Sequence, residues 1–314
     1  MSKEYIIQKV DVNGYGYSPK EGTRIYEEYK DFKLLNPDRQ LITKYSDDIL
    51  WDCYNKILKT PGKYDAVPFN NKITYHFFEN FYHVERELWK DIKIQEKLYK
   101  NRKKYIGKTQ ETITNEELLR GFKISGIHVG YSHFCPYWFK AFIQEYNIKT
   151  CYDPCGGWGQ RMLGTQDLDL YIYNDIWEES AYYAYLQKEY FHMNNVQIYN
   201  NDSAKFTPPY DYEAIFTSPP YENKEIYSTE SIFKTYTDYL DWWKNTLIKS
   251  IKPSLKYIVF VLDNMNAKGL IQITKEISGF ELIKIQPVGR QLKSHMNKNK
   301  KEQENMYIFL KNDC

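Results

Sequence analysis

Short apolar runs alternate with amphipathic stretches along the C-terminal two thirds of the chain. Apolar runs of three to six residues predict strands over 148–152, 170–173, 196–199, 214–216, 257–262, 282–285 and 306–310. Apolar residues at helical spacing predict helices over 136–146, 178–192 and 236–251. Strands that alternate with helices of this length indicate an α/β fold with a mostly parallel sheet. The last two strands have only the basic loop 286–304 between them, so we expect them to pair antiparallel.

The first 120 residues lack this alternation. Short apolar runs are separated there by turn-forming residues, and a helical pattern is clear only near 77–99. We therefore predict two parts, an N-terminal accessory region over 1–120 and an α/β domain over 121–314.

Composition narrows the class of protein. The 314 residues are 42% hydrophobic and 27% charged, which is typical of a globular chain. The mean hydropathy is -0.69, and no stretch approaches the length of a membrane span, so we expect no membrane association. The N-terminus has no apolar segment of a signal peptide, and the five cysteines include no C-x-x-C pair. We therefore expect a cytoplasmic protein without a disulfide framework, and the scattered histidines predict no metal site.

Basic residues are concentrated in two segments of a chain whose net charge is only +2. Residues 90–108 hold eight basic and two acidic side chains, and residues 290–301 hold five basic side chains and no acidic one. Such segments suit the phosphate backbone of a nucleic acid, although a solvated helix face and loop would show the same pattern. The candidate phosphate contacts are Lys100, Arg102, Lys103, Lys104, Arg290, Lys293 and Lys298.

A glycine-rich turn, Asp-Pro-Cys-Gly-Gly-Trp-Gly at 153–159, follows the first predicted strand. Glycines there let the backbone approach a ligand closely. The nicotinamide fingerprint fails because Met162 stands where its third glycine belongs, and the Gly-Lys-Thr at 107–109 lacks the first glycine of a phosphate-binding loop. Three classes of ligand bind at such a turn, and these two motifs represent the first two. The third class is S-adenosylmethionine, which suits the turn.

Two acidic residues at later strand ends fit the same ligand. Asp175 ends the second strand, 22 residues beyond Asp153, where a carboxylate can accept from ribose hydroxyls. Asp202 follows the third strand and is expected near the adenine amino group. The alternative is an ordinary turn followed by two helix N-caps.

The segment Thr-Ser-Pro-Pro-Tyr at 217–221 ends the fourth strand. Consecutive prolines hold the chain extended and remove two backbone donors, so its carbonyls can act as acceptors. The hydroxyl of Ser218 and the carbonyl of Pro219 would receive the two N–H groups of an exocyclic amine, and Tyr221 could stack on the base. A second Pro-Pro-Tyr at 208–210 follows no buried strand and is interpreted as a plain turn.

These segments resemble the class I S-adenosylmethionine-dependent amino-methyltransferases that act on DNA bases. Residues 130–136 resemble the family's motif X, 153–159 its motif I in a Gly-Trp-Gly form similar to phage-type members, 217–221 its motif IV, and 304–311 its closing strand. The resemblance covers about 126–314 and implies a Rossmann-like sheet of seven strands, mostly parallel with an antiparallel last strand. It implies cofactor contacts by Tyr131, His133, Phe134, Asp153, Cys155, Gly157, Gly159, Asp175, Ile176, Asp202, Ser203 and Thr217. It places the chemistry at Ser218, Pro219, Pro220 and Tyr221.

The resemblance also implies a reaction, methyl transfer to the exocyclic amine of a base flipped out of double-stranded DNA. Ser218 before Pro-Pro favours cytosine N4 over adenine N6, and RNA methylation stays open as an alternative. The non-enzymatic alternative is a nucleic-acid-binding partner subunit, which usually loses motif I or motif IV. Pro154-Cys155 matches the nucleophile dipeptide of cytosine C5-methyltransferases but lies in the cofactor loop, so we set that interpretation aside. Target recognition would fall to residues 1–120 or to the loop 286–304; homodimerisation and a restriction partner stay open.

Overall fold

The structure is a computed structural model that describes residues 41, 43–66, 72–78, 83–107, 112–127, 134–221, 233–277, 279–289 and 304–312. The chain divides into two compact units, one of residues 1–44 and 79–131, the other of residues 45–78 and 132–314. Residues 45–78 thus share a unit with the sheet, although they precede the boundary expected at residue 120.

The described helices are α1 (Asp47–Lys59), α2 (Lys72–Phe77), α3 (His83–Trp89), α4 (Ile92–Ile106), α5 (Asn115–Ile124), α6 (Pro136–Glu145), α7 (Glu178–Tyr190), α8 (Tyr236–Ser250) and α9 (Asn264–Glu276). The described strands are β1 (Thr150–Asp153), β2 (Leu170–Asp175), β3 (Val196–Asn200), β4 (Ala214–Thr217), β5 (Tyr257–Asp263), β6 (Phe280–Pro287) and β7 (Glu304–Lys311). A short 3-10 helix, Met162–Gly164, follows the glycine-rich turn.

The described strands form one seven-stranded sheet in the order β3-β2-β1-β4-β5-β7-β6. The strands from β3 to β5 pair in parallel, whereas β7 pairs antiparallel with both β5 and β6. The predicted mostly parallel sheet with an antiparallel last strand is confirmed. Because the chain order reverses beside β1, a crevice opens at the carboxyl ends of β1 and β4, where α/β folds bind ligands.

Two helical predictions differ from the structure. The single helical pattern near 77–99 is divided among α2, α3 and α4, and α4 begins where the Asp91 carboxylate accepts from the backbone N–H of Lys93 at 2.8 Å. Helix α9 was not expected. It is capped by Asp263, whose carboxylate accepts from the backbone N–H groups of Met265 and Asn266, and it buries Ala267, Leu270 and Thr274.

A buried lysine fixes α1 in the unit that contains the sheet. Lys140 on α6 is 1% exposed, and its ammonium donates to the carbonyls of Ile57, Leu58 and Thr60 at 2.7, 3.1 and 2.6 Å. These carbonyls end α1, where a helix has unpaired acceptors and a cation is favourable. Among the described residues, no helix is both long and apolar enough to span a bilayer.

Candidate functional site

One pocket lies at the carboxyl ends of the central strands and holds about 1040 Å³ of space, including the part open to solvent. Its wall includes residues 154–158 of the glycine-rich turn and residues 175–177 at the end of β2. Ser218 and Pro220, from the segment after β4, line the same pocket. The two motifs found in the sequence therefore share one cavity.

The glycine-rich turn lies against β2, and this contact explains its composition. The backbone N–H of Gly156 donates to the carbonyl of Asn174 at 2.7 Å, and a Cβ added at Gly156 would lie 2.1 Å from the Tyr173 ring. Gly157 adopts a φ of 54°, and its carbonyl accepts from the Tyr173 hydroxyl at 2.6 Å. Glycine is required at 156 by close approach and is favoured at 157 by its backbone conformation.

Asp175 faces this turn from the end of β2. Its two carboxylate oxygens accept from the backbone N–H groups of Gly157 and Trp177 at 2.8 and 2.9 Å. Burial raises the pKa of the Asp175 carboxyl to about 6, against the lowering effect of these two hydrogen bonds. A carboxylate has about four lone-pair directions, so two hydrogen bonds leave it able to accept from ligand hydroxyls.

Asp153 and Thr217 do not line the pocket, which corrects the expectation that they contact a cofactor. Both are fully buried, and the Thr217 hydroxyl donates to Asp153 Oδ1 at 2.8 Å. Asp153 Oδ2 accepts from the Tyr171 hydroxyl and from Arg161 Nε, each at 2.6 Å. The Asp153 carboxylate thus connects the glycine-rich turn to the start of motif IV through hydrogen bonds that are buried and do not reach the pocket.

Arg161 also lines the pocket, and it lies two residues beyond Gly159, where the predicted motif ends. Its guanidinium donates to the carbonyl of Cys155 and lies 5.0 Å from the centroid of the Phe134 ring. Burial lowers the pKa of Arg161, but the neighbouring Asp153 charge outweighs burial and raises it above the ordinary value. Arg161 therefore places a buried and permanent positive charge at the wall of the pocket.

Motif IV differs from expectation in the role of its tyrosine. The Ser218 hydroxyl lines the pocket and donates to the carbonyl of Val261 at 3.1 Å, so its oxygen lone pairs stay able to accept. The Tyr221 ring is 8% exposed, packs in the hydrophobic core and does not line the pocket. Two other aromatic side chains, Phe233 and Trp242, line the pocket, and their ring centroids are 5.4 Å apart.

The other residues predicted to contact a cofactor divide into those that line the pocket and those that do not. Those that line the pocket are Phe134, Cys155, Ile176 and Ser203. Gly159 lies outside the lining, and a Cβ added there would be 2.9 Å from the Phe78 ring. Asp202 also lies outside it: its carboxylate accepts from the Ala204 N–H at 3.0 Å and pairs with Lys205 at 3.0 Å. Tyr131 and His133 fall outside the described residues.

The predicted phosphate contacts are only partly described. Arg290, Lys293 and Lys298, and the side chains of Lys103 and Lys104, fall outside the described residues. Lys100 is exposed on α4. Arg102 is 4% exposed, and its Nε donates to the carbonyl of Glu117 at 2.8 Å, so the expectation that it meets phosphate is corrected. Within the described part of the chain, no three His, Cys, Asp or Glu side chains form a metal-binding group.

Known protein structures resemble this chain at low sequence identity. No protein-family model matches the chain, and no curated protein matches its sequence. An S-adenosylmethionine-dependent methyltransferase from Aquifex aeolicus is similar in structure, with 14% identity, a TM-score of 0.39 and coverage of 55% of this chain and 88% of that one. TrmN from Thermus thermophilus has 10% identity and a TM-score of 0.40, over 57% of this chain and 49% of that one. A tRNA m1G37 methyltransferase from M. jannaschii has 9% identity and a TM-score of 0.38, over 53% and 46%. The strand order of the sheet, rather than these distant likenesses, defines the fold.

Proposed function

We propose that the protein transfers a methyl group from S-adenosylmethionine to the exocyclic amine of a base in DNA, with cytosine N4 as the first expected target. One observation carries the proposal: the glycine-rich turn lines a common pocket with Ser218 and Pro220. A transferase must hold its donor and acceptor together, and such positioning supplies a large part of rate acceleration.

The residues at the turn fit the proposed cofactor. Gly156 and Gly157 let the backbone approach a ligand, and Asp175 is placed to accept from two ribose hydroxyls. Ile176, which is 54% exposed, and Trp177 offer apolar surface beside that carboxylate for a purine ring. When bound, S-adenosylmethionine would supply an electrophilic methyl group.

The other half of the pocket suits a planar base. Phe233 and Trp242 present aromatic surface there, and Pro220 adds an apolar wall. An aromatic amine is a poor nucleophile because its lone pair is delocalised into the ring. A hydrogen bond accepted by Ser218 would favour a pyramidal nitrogen and orient its lone pair, an effect that is strongest in the transition state.

Nucleoside mass spectrometry tests the proposal. DNA and RNA from cells that express the wild-type protein would be compared with those from cells that express Ser218→Ala. We expect N4-methylcytosine in DNA from the wild-type cells only. N6-methyladenine, or a methylated nucleoside in RNA alone, would change the assigned substrate. If neither nucleic acid is methylated while purified protein binds S-adenosylmethionine, the partner-subunit alternative replaces the enzyme.

A further inference from the structure

We infer that Glu304 is a specificity-determining residue of this site, whose carboxylate accepts a hydrogen bond from the amine of the base that receives the methyl group. The inference rests on the proposed function. It adds a residue from β7, outside motif IV, to the site. It also limits the base that receives the methyl group to bases that carry an amino group.

The topology brings Glu304 to the reacting edge of the sheet. Because β7 runs antiparallel to β5, the first residue of β7 lies opposite the last residue of β5, and Glu304 pairs with Asp263. Motif IV follows β4, which pairs in parallel with β5, with Thr217 opposite Phe260. The start of β7 and the ends of β4 and β5 therefore share one edge, and Glu304 lines the pocket together with Ser218.

An exocyclic amine has two N–H groups and needs two acceptors. The sequence suggested Ser218 and the carbonyl of Pro219, but Pro219 is buried and is not part of the pocket wall. Among the described residues that line the pocket, Ser218 and Glu304 carry side-chain oxygens and come from the ends of β4 and β7 at this edge of the sheet. A hydrogen bond to a carboxylate is about twice as strong as one to a neutral acceptor, so Glu304 would be the dominant partner.

Tyr221 holds this carboxylate. Its hydroxyl donates to Glu304 Oε1 at 3.0 Å, while its ring is packed in the core. The carboxylate lines the same pocket as the apolar side chains of Phe233, Trp242 and Pro220, where each donor that approaches a charge stabilises it. An amino group supplies such a donor, whereas the oxo group of uracil or hypoxanthine at the same ring position would face the carboxylate with its own lone pairs.

Paired oligonucleotides test the inference, because an oxo group replaces the amino group and the adjacent ring nitrogen gains a proton. Fluorescence anisotropy would measure the affinity of the protein, saturated with S-adenosylhomocysteine, for labelled oligo(dC) against oligo(dU) and for oligo(dA) against oligo(dI). High salt would suppress the phosphate contribution that all four probes share. We expect the wild-type protein to prefer the amino member of at least one pair. Glu304→Gln should reduce that preference by about fivefold to tenfold, the difference between a charged and a neutral acceptor.

Two further variants separate this role from a structural one. Glu281→Gln changes an exposed carboxylate of β6 outside the pocket wall and should keep the wild-type preference. Tyr221→Phe keeps the Glu304 carboxylate but removes its anchor, and should weaken the preference less than Glu304→Gln does. It should also add little to Glu304→Gln in the double variant.

The inference is overturned if the wild-type protein shows no preference for amino bases, or if Glu304→Gln keeps it while binding S-adenosylhomocysteine normally. If Glu304→Gln fails to bind that ligand, Tyr221→Phe decides, and an unchanged preference in that variant overturns the inference. Transfer of a tritiated methyl group to genomic DNA by the wild-type protein is measured separately. The proposed function can thus fail while amino-base selection is retained, or hold while the role of Glu304 is refuted.

Discussion

Asp175 offers the sharpest test of the cofactor half of the pocket. We predict that Asp175→Ala weakens the binding of S-adenosylmethionine by about 1.5–3 kcal/mol, the loss of hydrogen bonds to a charged group. That range corresponds to about tenfold to 150-fold in Kd. Isothermal titration calorimetry with purified protein measures it directly. The backbone N–H groups of Gly157 and Trp177 lose an acceptor in the same variant, so its folding should be checked by circular dichroism.

The raised pKa of Asp175 gives this prediction a pH dependence. With a pKa of about 6, the carboxyl is mostly ionised at pH 7.5 and mostly protonated at pH 5. A ligand that donates hydroxyls binds the ionised form, so affinity should fall as pH falls through 6, by about tenfold at pH 5. Folding stability should change in the opposite direction. A carboxyl whose pKa is raised on folding destabilises the unliganded protein at neutral pH, by at most about 3 kcal/mol, and this cost disappears as pH falls below 4.

Two aspartates serve as controls for this experiment. Asp211→Ala removes an exposed carboxylate away from the pocket and should bind like the wild-type protein. Asp202→Ala should also bind within about twofold, because the Asp202 carboxylate pairs with Lys205 and does not reach the pocket wall. Equal affinity of Asp175→Ala and wild type at pH 7.5 would refute the assignment. So would a fall of affinity at pH 5 that persists in Asp175→Ala.

Three further variants test the packing of the glycine-rich turn, the buried ion pair and the role of Ser218 in the reaction. Gly156→Ala places a methyl group within the Tyr173 ring and should lower the free energy of unfolding by about 1–3 kcal/mol while weakening cofactor binding; an unchanged urea midpoint would contradict the packing argument. Arg161→Met leaves Asp153 as an unpaired buried charge and should cost about 3–5 kcal/mol in urea unfolding, whereas the double variant with Asp153→Leu should recover part of that loss. Ser218→Ala should reduce kcat more than it raises KM for DNA, and a change confined to KM would assign Ser218 to binding alone.

Local sequence determined the elements that carry the site. The strand predictions succeeded because short apolar runs reflect burial within a sheet, and the turn at 153–159 was recognisable because backbone approach to β2 admits only glycine at 156. Motif IV was located for a similar reason, since two prolines restrict the backbone whatever surrounds them. Helix α9 was not predicted, although Asp263 caps it and the buried residues Ala267, Leu270 and Thr274 recur at helical spacing.

Tertiary structure decided which side chains face the pocket. Asp153, Thr217 and Tyr221 are motif residues, yet they are buried behind the pocket, where each hydrogen-bonds another side chain. The partners include Arg161, eight residues from Asp153, and Glu304, 83 residues from Tyr221. Arg161 and Glu304 line the pocket, although neither was predicted from the sequence to take part in the chemistry. A sequence motif fixes residue type and backbone conformation, because these depend on near neighbours. The direction of a side chain depends on contacts that only the assembled sheet creates.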